Sequence, residues 1–222
     1  MGEIILIIFI LLTMLTTFCL FKMLSKRGLY FALVIFNILG LIFSFKIAYI
    51  FKMNTNLSII PIIASLTILY IFLTKYGYKE NKNLIKLSLY INIGSSILLA
   101  IMNFYIPAIT ETISINMEGT FEYNYKILII YPLIVLISQY IVVNLYKLIN
   151  EIQNNINISV ILNYIITALI YTVLYSVLIY INTIELKYSL FVGISTYIIG
   201  LPVIIINLIF INYITDKLVK KW

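Results

Sequence analysis

The side chains with the most chemical potential in this sequence are polar groups embedded in long apolar runs. Lys46 is the cation placed furthest inside such a run, and the amides and hydroxyls in other runs include Gln139, Thr172 and Asn207. A polar group in hydrocarbon seeks a hydrogen-bond partner on another helix or on a ligand. These side chains therefore either hold helices together or line a binding site. For Lys46 a further interpretation is that its long stem reaches the lipid headgroups.

The composition argues against several kinds of active site. Histidine is absent, the single cysteine is Cys19 inside the first apolar run, and none of the acidic residues lies in the middle of an apolar run. Zinc centres, Cys-His pairs, Ser-His-Asp triads and relays of paired carboxylates are therefore not expected. We predict that the chain is not an enzyme and that it uses no metal or cofactor.

The elements that carry these residues are predicted to be membrane helices. Hydrophobic residues make up 63% of the chain and charged residues 10%, whereas soluble domains are close to one half apolar and one quarter charged. The apolar runs are continuous and about twenty residues long, the length of a transmembrane helix, and they lack the alternation of barrel strands. The net charge of +7 is explained by basic loops beside a bilayer, so a nucleic-acid partner is not expected.

Seven apolar runs predict an all-α, polytopic transmembrane bundle that forms a single domain over residues 1–222. The breaks after the first and third runs are basic, as is the C-terminus, which places the N-terminus outside and the C-terminus in the cytoplasm of a multi-pass cell-membrane protein. Gly94, Gly193 and Gly200 are expected where helices approach closely. The predicted spans cover residues 3–23, 28–51, 57–75, 84–106, 126–146, 157–182 and 188–214.

The chain contains, in this order, the Arg27-Gly-Leu-Tyr-Phe-Ala-Leu-Val stretch, the later Lys46, the segment Lys75-Tyr-Gly-Tyr-Lys-Glu, and then Ile137-Ser-Gln-Tyr-Ile and Leu169-Ile-Tyr-Thr. Together these motifs resemble the VUT family of queuosine precursor transporters. The family has a Tyr-Gly-x-Lys-Glu motif at the cytoplasmic end of its third span, which Tyr76, Gly77, Lys79 and Glu80 match, and Lys79 and Glu80 are expected to organise the loop there. The resemblance implies the same helical fold, and it implies uptake of 7-deazaguanines.

The family's membrane carboxylates are replaced in this chain. Neutral residues stand where the family has acidic or other polar hallmarks, at Tyr70, Thr74, Val142, Ala168, Tyr171, Gly200 and Asn207. Each replacement suits a helix in lipid, so the fold should persist. A cavity without acids would favour a neutral base held by amides and aromatic faces. The exchanges therefore predict changed specificity or lost transport.

The leading hypothesis is a transporter that imports a queuosine precursor or a related nucleobase. Lys46, Gln139, Thr172 and Asn207 are the predicted ligand-binding residues. Two alternatives stay open. One is a substrate-binding subunit of a multi-component vitamin or nucleobase importer, and the other is a non-transporting scaffold or immunity protein whose polar residues only join helices. The partners expected are the bilayer and a small-molecule substrate, and a homo-oligomer is left open.

Overall fold

The computed structural model describes residues 2–102, 125–152, 156–180 and 185–218, with side chains for all of them except 2, 156–158 and 211–218. Helices make up nearly all of these residues. The elements are α1 (Gly2–Leu24), α2 (Lys26–Ser44), β1 (Ile47–Ile50), β2 (Met53–Asn56), α3 (Ile59–Met102), α4 (Tyr125–Ile152), α5 (Ile156–Tyr180) and α6 (Leu186–Leu218).

All six of these helices are long and apolar enough to cross a membrane. The outermost, α1, leaves Ile4, Leu11 and Leu15 more than half exposed, and it is the helix with the smallest buried share. Exposure of a continuous apolar surface of this kind to water is unfavourable, whereas its exposure to lipid is favourable. The prediction of an all-α fold with long apolar helices is therefore confirmed, and the described residues contain six helices that could span a membrane.

The centre of the bundle is the first half of α3. Every residue from 59 to 73 is buried, and this segment contacts α2, α4, α5 and α6. A helix that is apolar on all sides is expected to be enclosed on all sides. Pro61 lies in its first turn, where the missing N–H has no helical partner to lose.

Gly77 breaks α3 into two halves. A straight helix of 44 residues would be roughly 66 Å long, about twice the hydrocarbon thickness of a bilayer. Gly77 has φ 81° and ψ 177°, and the Asn81 Nδ2 donates a hydrogen bond to the Leu69 carbonyl at 2.9 Å. Residues twelve apart could not meet in a straight helix, so the chain turns back at Gly77. The predicted loop between residues 75 and 84 is thus reduced to a single non-helical residue.

The prediction that residues 28–51 form one span is wrong at its C-terminal end. The helix α2 ends at Ser44, and an antiparallel hairpin follows with the pairs Ile47↔Asn56 and Ile50↔Met53. The apolar run continues through β1, and a short apolar run does not distinguish strand from helix. Lys46 is therefore outside the helix, and its side chain is exposed.

Of the three glycines predicted to lie where helices approach closely, two do so in the structure. A Cβ on Gly193 would meet the Thr172 carbonyl oxygen at 3.0 Å, and one on Gly200 would meet Ile59 Cγ1 at 3.0 Å. Both glycines therefore permit close helix approach, as predicted. A Cβ on Gly94 would meet nothing within 4 Å, so the prediction is wrong there. The predicted outer loop, residues 107–125, lies outside the described residues except for Tyr125.

Candidate functional site

A cluster of three amide side chains surrounds one hydroxyl in the interior of the bundle. The Ser88 Oγ accepts from Gln139 Nε2 at 2.7 Å, from Asn37 Nδ2 at 2.9 Å and from Asn92 Nδ2 at 3.4 Å. Asn37 comes from α2, Ser88 and Asn92 from the second half of α3, and Gln139 from α4. All four are at most 1% exposed. We call these four residues the amide cluster.

The amide cluster holds more hydrogen-bonding groups than it satisfies. Asn37 Oδ1, Asn92 Oδ1 and Gln139 Oε1 are buried and have no hydrogen-bond partner among the residues that the structure describes. A hydroxyl oxygen has two lone pairs, so Ser88 cannot fully accept from three amides at once. Leaving a buried polar group unpaired costs about 1–3 kcal/mol. The site therefore has spare capacity for a polar ligand or for water.

A layer of tyrosines separates the amide cluster from the hairpin. The Tyr131 hydroxyl donates to the Asn37 carbonyl at 3.2 Å, and Gly40 makes room for it, because a Cβ there would collide with that hydroxyl. The Tyr131 ring packs edge-on against Tyr175 at 6.5 Å, and Tyr175 stacks on Tyr171 at 5.6 Å. All three rings are buried. Of the three, Tyr131 contacts the amide cluster, through the Asn37 backbone.

Asn56 anchors the hairpin to the neighbouring helices by hydrogen bonds. Its side-chain Nδ2 donates to the Ser44 carbonyl at 2.9 Å, and its Oδ1 accepts from the Ser58 N–H at 2.8 Å. Its backbone N–H donates to Thr196 Oγ1 at 3.0 Å. The Tyr175 hydroxyl also donates to the Ser44 carbonyl, at 3.0 Å. One asparagine thus joins the end of α2, the start of α3 and α6.

Asn207 belongs to a second network on another side of the central helix. Its Oδ1 accepts from Thr67 Oγ1 at 3.2 Å, and its Nδ2 donates to the Val203 carbonyl at 2.8 Å. Thr67 also bonds the Tyr164 hydroxyl, and the Tyr164 ring stacks on Tyr70 at 4.3 Å. Both polar atoms of the Asn207 amide are satisfied within the protein. This network resembles ordinary interhelical packing more than an open site.

The structure does not bring the four predicted ligand-binding residues together. Gln139 is part of the amide cluster, whereas Asn207 is in the second network. The Thr172 hydroxyl bonds the Ala168 and Leu169 carbonyls of its own helix. Lys46 lies after the end of α2, next to the first strand of the hairpin, and its side chain is exposed. Of the predicted residues, Gln139 alone occupies a site with unpaired polar atoms among the described side chains.

Three members of the amide cluster were not among the predicted ligand-binding residues. Asn37 and Asn92 are recognisable as amides within apolar runs, but nothing in their local sequence relates them to Gln139. Ser88 lies close to the basic break after the third run. Its position four residues before Asn92 places both on one helix face. That spacing is the signal that could have marked Ser88.

Glu80 organises the turn at Gly77, in keeping with the role expected of the Tyr-Gly-x-Lys-Glu motif. Its Oε2 lies 2.9 Å from Lys26 Nζ, and it accepts from the Tyr30 hydroxyl at 3.3 Å. Lys26 also lies 5.2 Å from the centroid of the Tyr76 ring. These contacts tie the start of α2 to the turn between the halves of α3. The motif therefore has a structural role at this end of the bundle.

Charged groups are kept out of the described interior. No lysine, arginine or glutamate with a described side chain is buried, and no group of three metal-ligating residues occurs within the described ranges. The interior polar groups are amides and hydroxyls. They can form hydrogen bonds to an uncharged ligand, but they provide no counter-charge for an ion.

Comparisons of this chain with protein-family models, with curated proteins and with solved structures give no match. The likeness to the queuosine precursor transporters therefore depends on the quoted motifs alone.

Proposed function

We propose that this chain is a multi-pass transporter of the cell membrane that imports a queuosine precursor, a 7-deazaguanine, or a related nucleobase. In this proposal each half of α3 crosses the bilayer, which makes seven spans with the N-terminus outside and the C-terminus in the cytoplasm. The basic residues around Gly77 then lie on the cytoplasmic side, as the charge bias predicts.

The observation that carries the proposal is the amide cluster. A buried group of polar side chains from three helices, with its carboxamide oxygens unpaired, is costly unless something else fills its hydrogen bonds. A purine-like base carries N–H donors and a carbonyl acceptor on one edge, and its flat faces suit the neighbouring tyrosines. The amides would hold the edge of the base while the rings cover its faces.

The energy source in this proposal is the substrate gradient. No carboxylate lies in the described interior, so the residues for proton coupling by paired acids are not found there. Facilitated diffusion followed by metabolic trapping of the base inside the cell would produce net uptake.

A second candidate is a non-transporting membrane protein whose polar side chains only join helices. The observation that favours it is the second network, in which Asn207, Thr67 and Tyr164 satisfy one another and the backbone. Interhelical bonds of this kind contribute about 0.6 kcal/mol each to bundle stability. The two candidates differ in what the amide cluster binds, and uptake measurements distinguish them.

The test is uptake of radiolabelled 7-deazaguanines and of queuine by cells that lack their own transporter and synthesis pathway. The chain is expressed as wild type, as Gln139→Ala, as the size-matched Gln139→Met, and as Asn54→Ala, which removes an exposed amide on the hairpin. We expect uptake by wild type and Asn54→Ala, and a decrease of about fivefold in both Gln139 variants, since one lost hydrogen bond is worth about 1 kcal/mol.

Membrane levels of every variant are measured in parallel. Uptake that equals that of empty cells, with the wild type present in the membrane, would remove the transport proposal and favour the packing role. Uptake that both Gln139 variants preserve would move the binding site away from the amide cluster.

A further inference from the structure

The hydrogen-bonding pattern of the amide cluster restricts what it can bind. Each carboxamide of Asn37, Asn92 and Gln139 has one acceptor oxygen and two N–H donors, and Ser88 has one hydroxyl. Rotation of a carboxamide by 180° exchanges its oxygen and nitrogen, so both donors and acceptors are present in any orientation. Besides the three bonds at Ser88, the three carboxamide oxygens have no hydrogen-bond partner among the described residues. A complementary ligand must therefore carry donors and acceptors side by side.

The charge of the ligand is restricted by the surroundings of the cluster. The Tyr131 hydroxyl, which donates to the Asn37 carbonyl, is uncharged, and no described carboxylate is buried. Glu80, the acid nearest in sequence to Ser88, is paired with Lys26 at the Gly77 turn. Burying a cation without a counter-charge is strongly unfavourable, because amides and hydroxyls replace only part of its hydration.

We propose that the amide cluster selects an uncharged, planar heterocycle with adjacent N–H and C=O groups on one edge, and that it discriminates against the cationic form of the same ring system. The inference rests on the proposed transport function and adds the charge state of the substrate to it. Gln139 determines the selectivity, since its amide reaches the cluster from α4. Glutamate has nearly the same shape as glutamine, so Gln139→Glu adds a negative charge to the cluster with little change in packing.

The experiment measures binding of two ring-matched ligands to the purified full chain in lipid nanodiscs. The ligands are 7-hydroxymethyl-7-deazaguanine, which is neutral, and 7-aminomethyl-7-deazaguanine, which is cationic and differs by one heavy atom. Titration calorimetry gives both affinities for the wild type and for Gln139→Glu. A second acidic variant, Asn92→Asp, serves if Gln139→Glu does not fold.

We expect the wild type to bind the neutral ligand at least tenfold more tightly than the cation. The acidic variant should shift this ratio toward the cation by at least tenfold, because it provides a counter-charge. Equal affinities in the wild type, or a preference for the cation, would overturn the inference and leave transport intact. A ratio that the acidic variant does not change would overturn the assignment of selectivity to the cluster.

Failure of the proposed function has a different signature. In that case neither ligand binds the wild type, and the uptake assay described above is negative as well. Binding of the neutral ligand with the expected ratio, unaffected by the control substitution Asn54→Ala, would support the inference.

Discussion

Replacing Gly77 by alanine tests whether the reversal of α3 depends on a conformation that glycine alone adopts readily. Gly77 has φ 81° and ψ 177°, a region that is essentially restricted to glycine. A Cβ added there meets no other atom within 4 Å. The penalty for alanine at this position is therefore backbone strain without a steric clash.

The expected magnitude is the difference between two opposing effects. Holding a residue with a Cβ in a sparsely populated conformation costs about 1–3 kcal/mol. Alanine also restricts the unfolded chain more than glycine does, which offsets about 0.4–1 kcal/mol. Gly77→Ala should thus lower the free energy of unfolding by about 1–2 kcal/mol, a factor of about 5–30 in the folded population ratio.

Gly94 provides a matched control on the same helix. It lies in the regular second half of α3, and a Cβ there also meets nothing within 4 Å. Gly94→Ala should raise the free energy of unfolding by about 0.5–1 kcal/mol, because alanine has the higher helix propensity. The two substitutions are chemically identical and differ in the backbone conformation that receives the methyl group.

The assay is unfolding of the purified protein in mild detergent by added dodecyl sulfate, followed by circular dichroism. The reasoning predicts opposite shifts of the midpoint for the two variants. If Gly77→Ala were neutral, or if it shifted the midpoint in the same direction as Gly94→Ala, the chain would not need the strained turn, and the reversal at Gly77 would have another origin.

Two further predictions concern the hairpin and use the same unfolding assay. Asn56→Ala removes the side-chain hydrogen bonds to the Ser44 carbonyl and from the Ser58 N–H, so we expect a loss of about 2–4 kcal/mol; a loss no larger than that of an exposed asparagine would contradict this role. Phe51 and Lys52 both have positive φ, at 49° and 62°, as a two-residue hairpin turn requires. Replacing them together by Asn-Gly should stabilise the protein by about 1–2 kcal/mol, and an unchanged midpoint would show that the turn is not strained.

The sequence predicted some residue roles correctly for a local reason. Lys79 and Glu80 were expected to organise the loop after the third run, and Glu80 does so at Gly77, where it pairs with Lys26. Glycine adopts positive φ readily, and a glutamate among nearby lysines can form an ion pair, so both roles can be predicted from the local sequence. Lys46, by contrast, was expected within a span and lies beyond the end of α2, because the apolar run that contains it continues into strands.

The amide cluster could not be assembled from the sequence. Helical periodicity identifies Ser88 and Asn92 as one face, but it does not say which other helix meets that face. Asn37 and Gln139 each lie 51 residues from Ser88 along the chain. Thr172 looks equivalent to Gln139 in sequence, yet a threonine hydroxyl can bond its own helix, whereas a longer amide reaches a neighbour.

What the sequence by itself determined is the class of structure, because long uncharged apolar runs favour helices that are apolar enough to cross a membrane. Tertiary structure decided where the chain reverses, where α2 ends, and which buried amides share a hydroxyl. Every apolar face is compatible with every other in hydrocarbon, so apolar patterning carries no information about helix partners. Packing around the enclosed residues 59–73 selects those partners, and with them the composition of the candidate site.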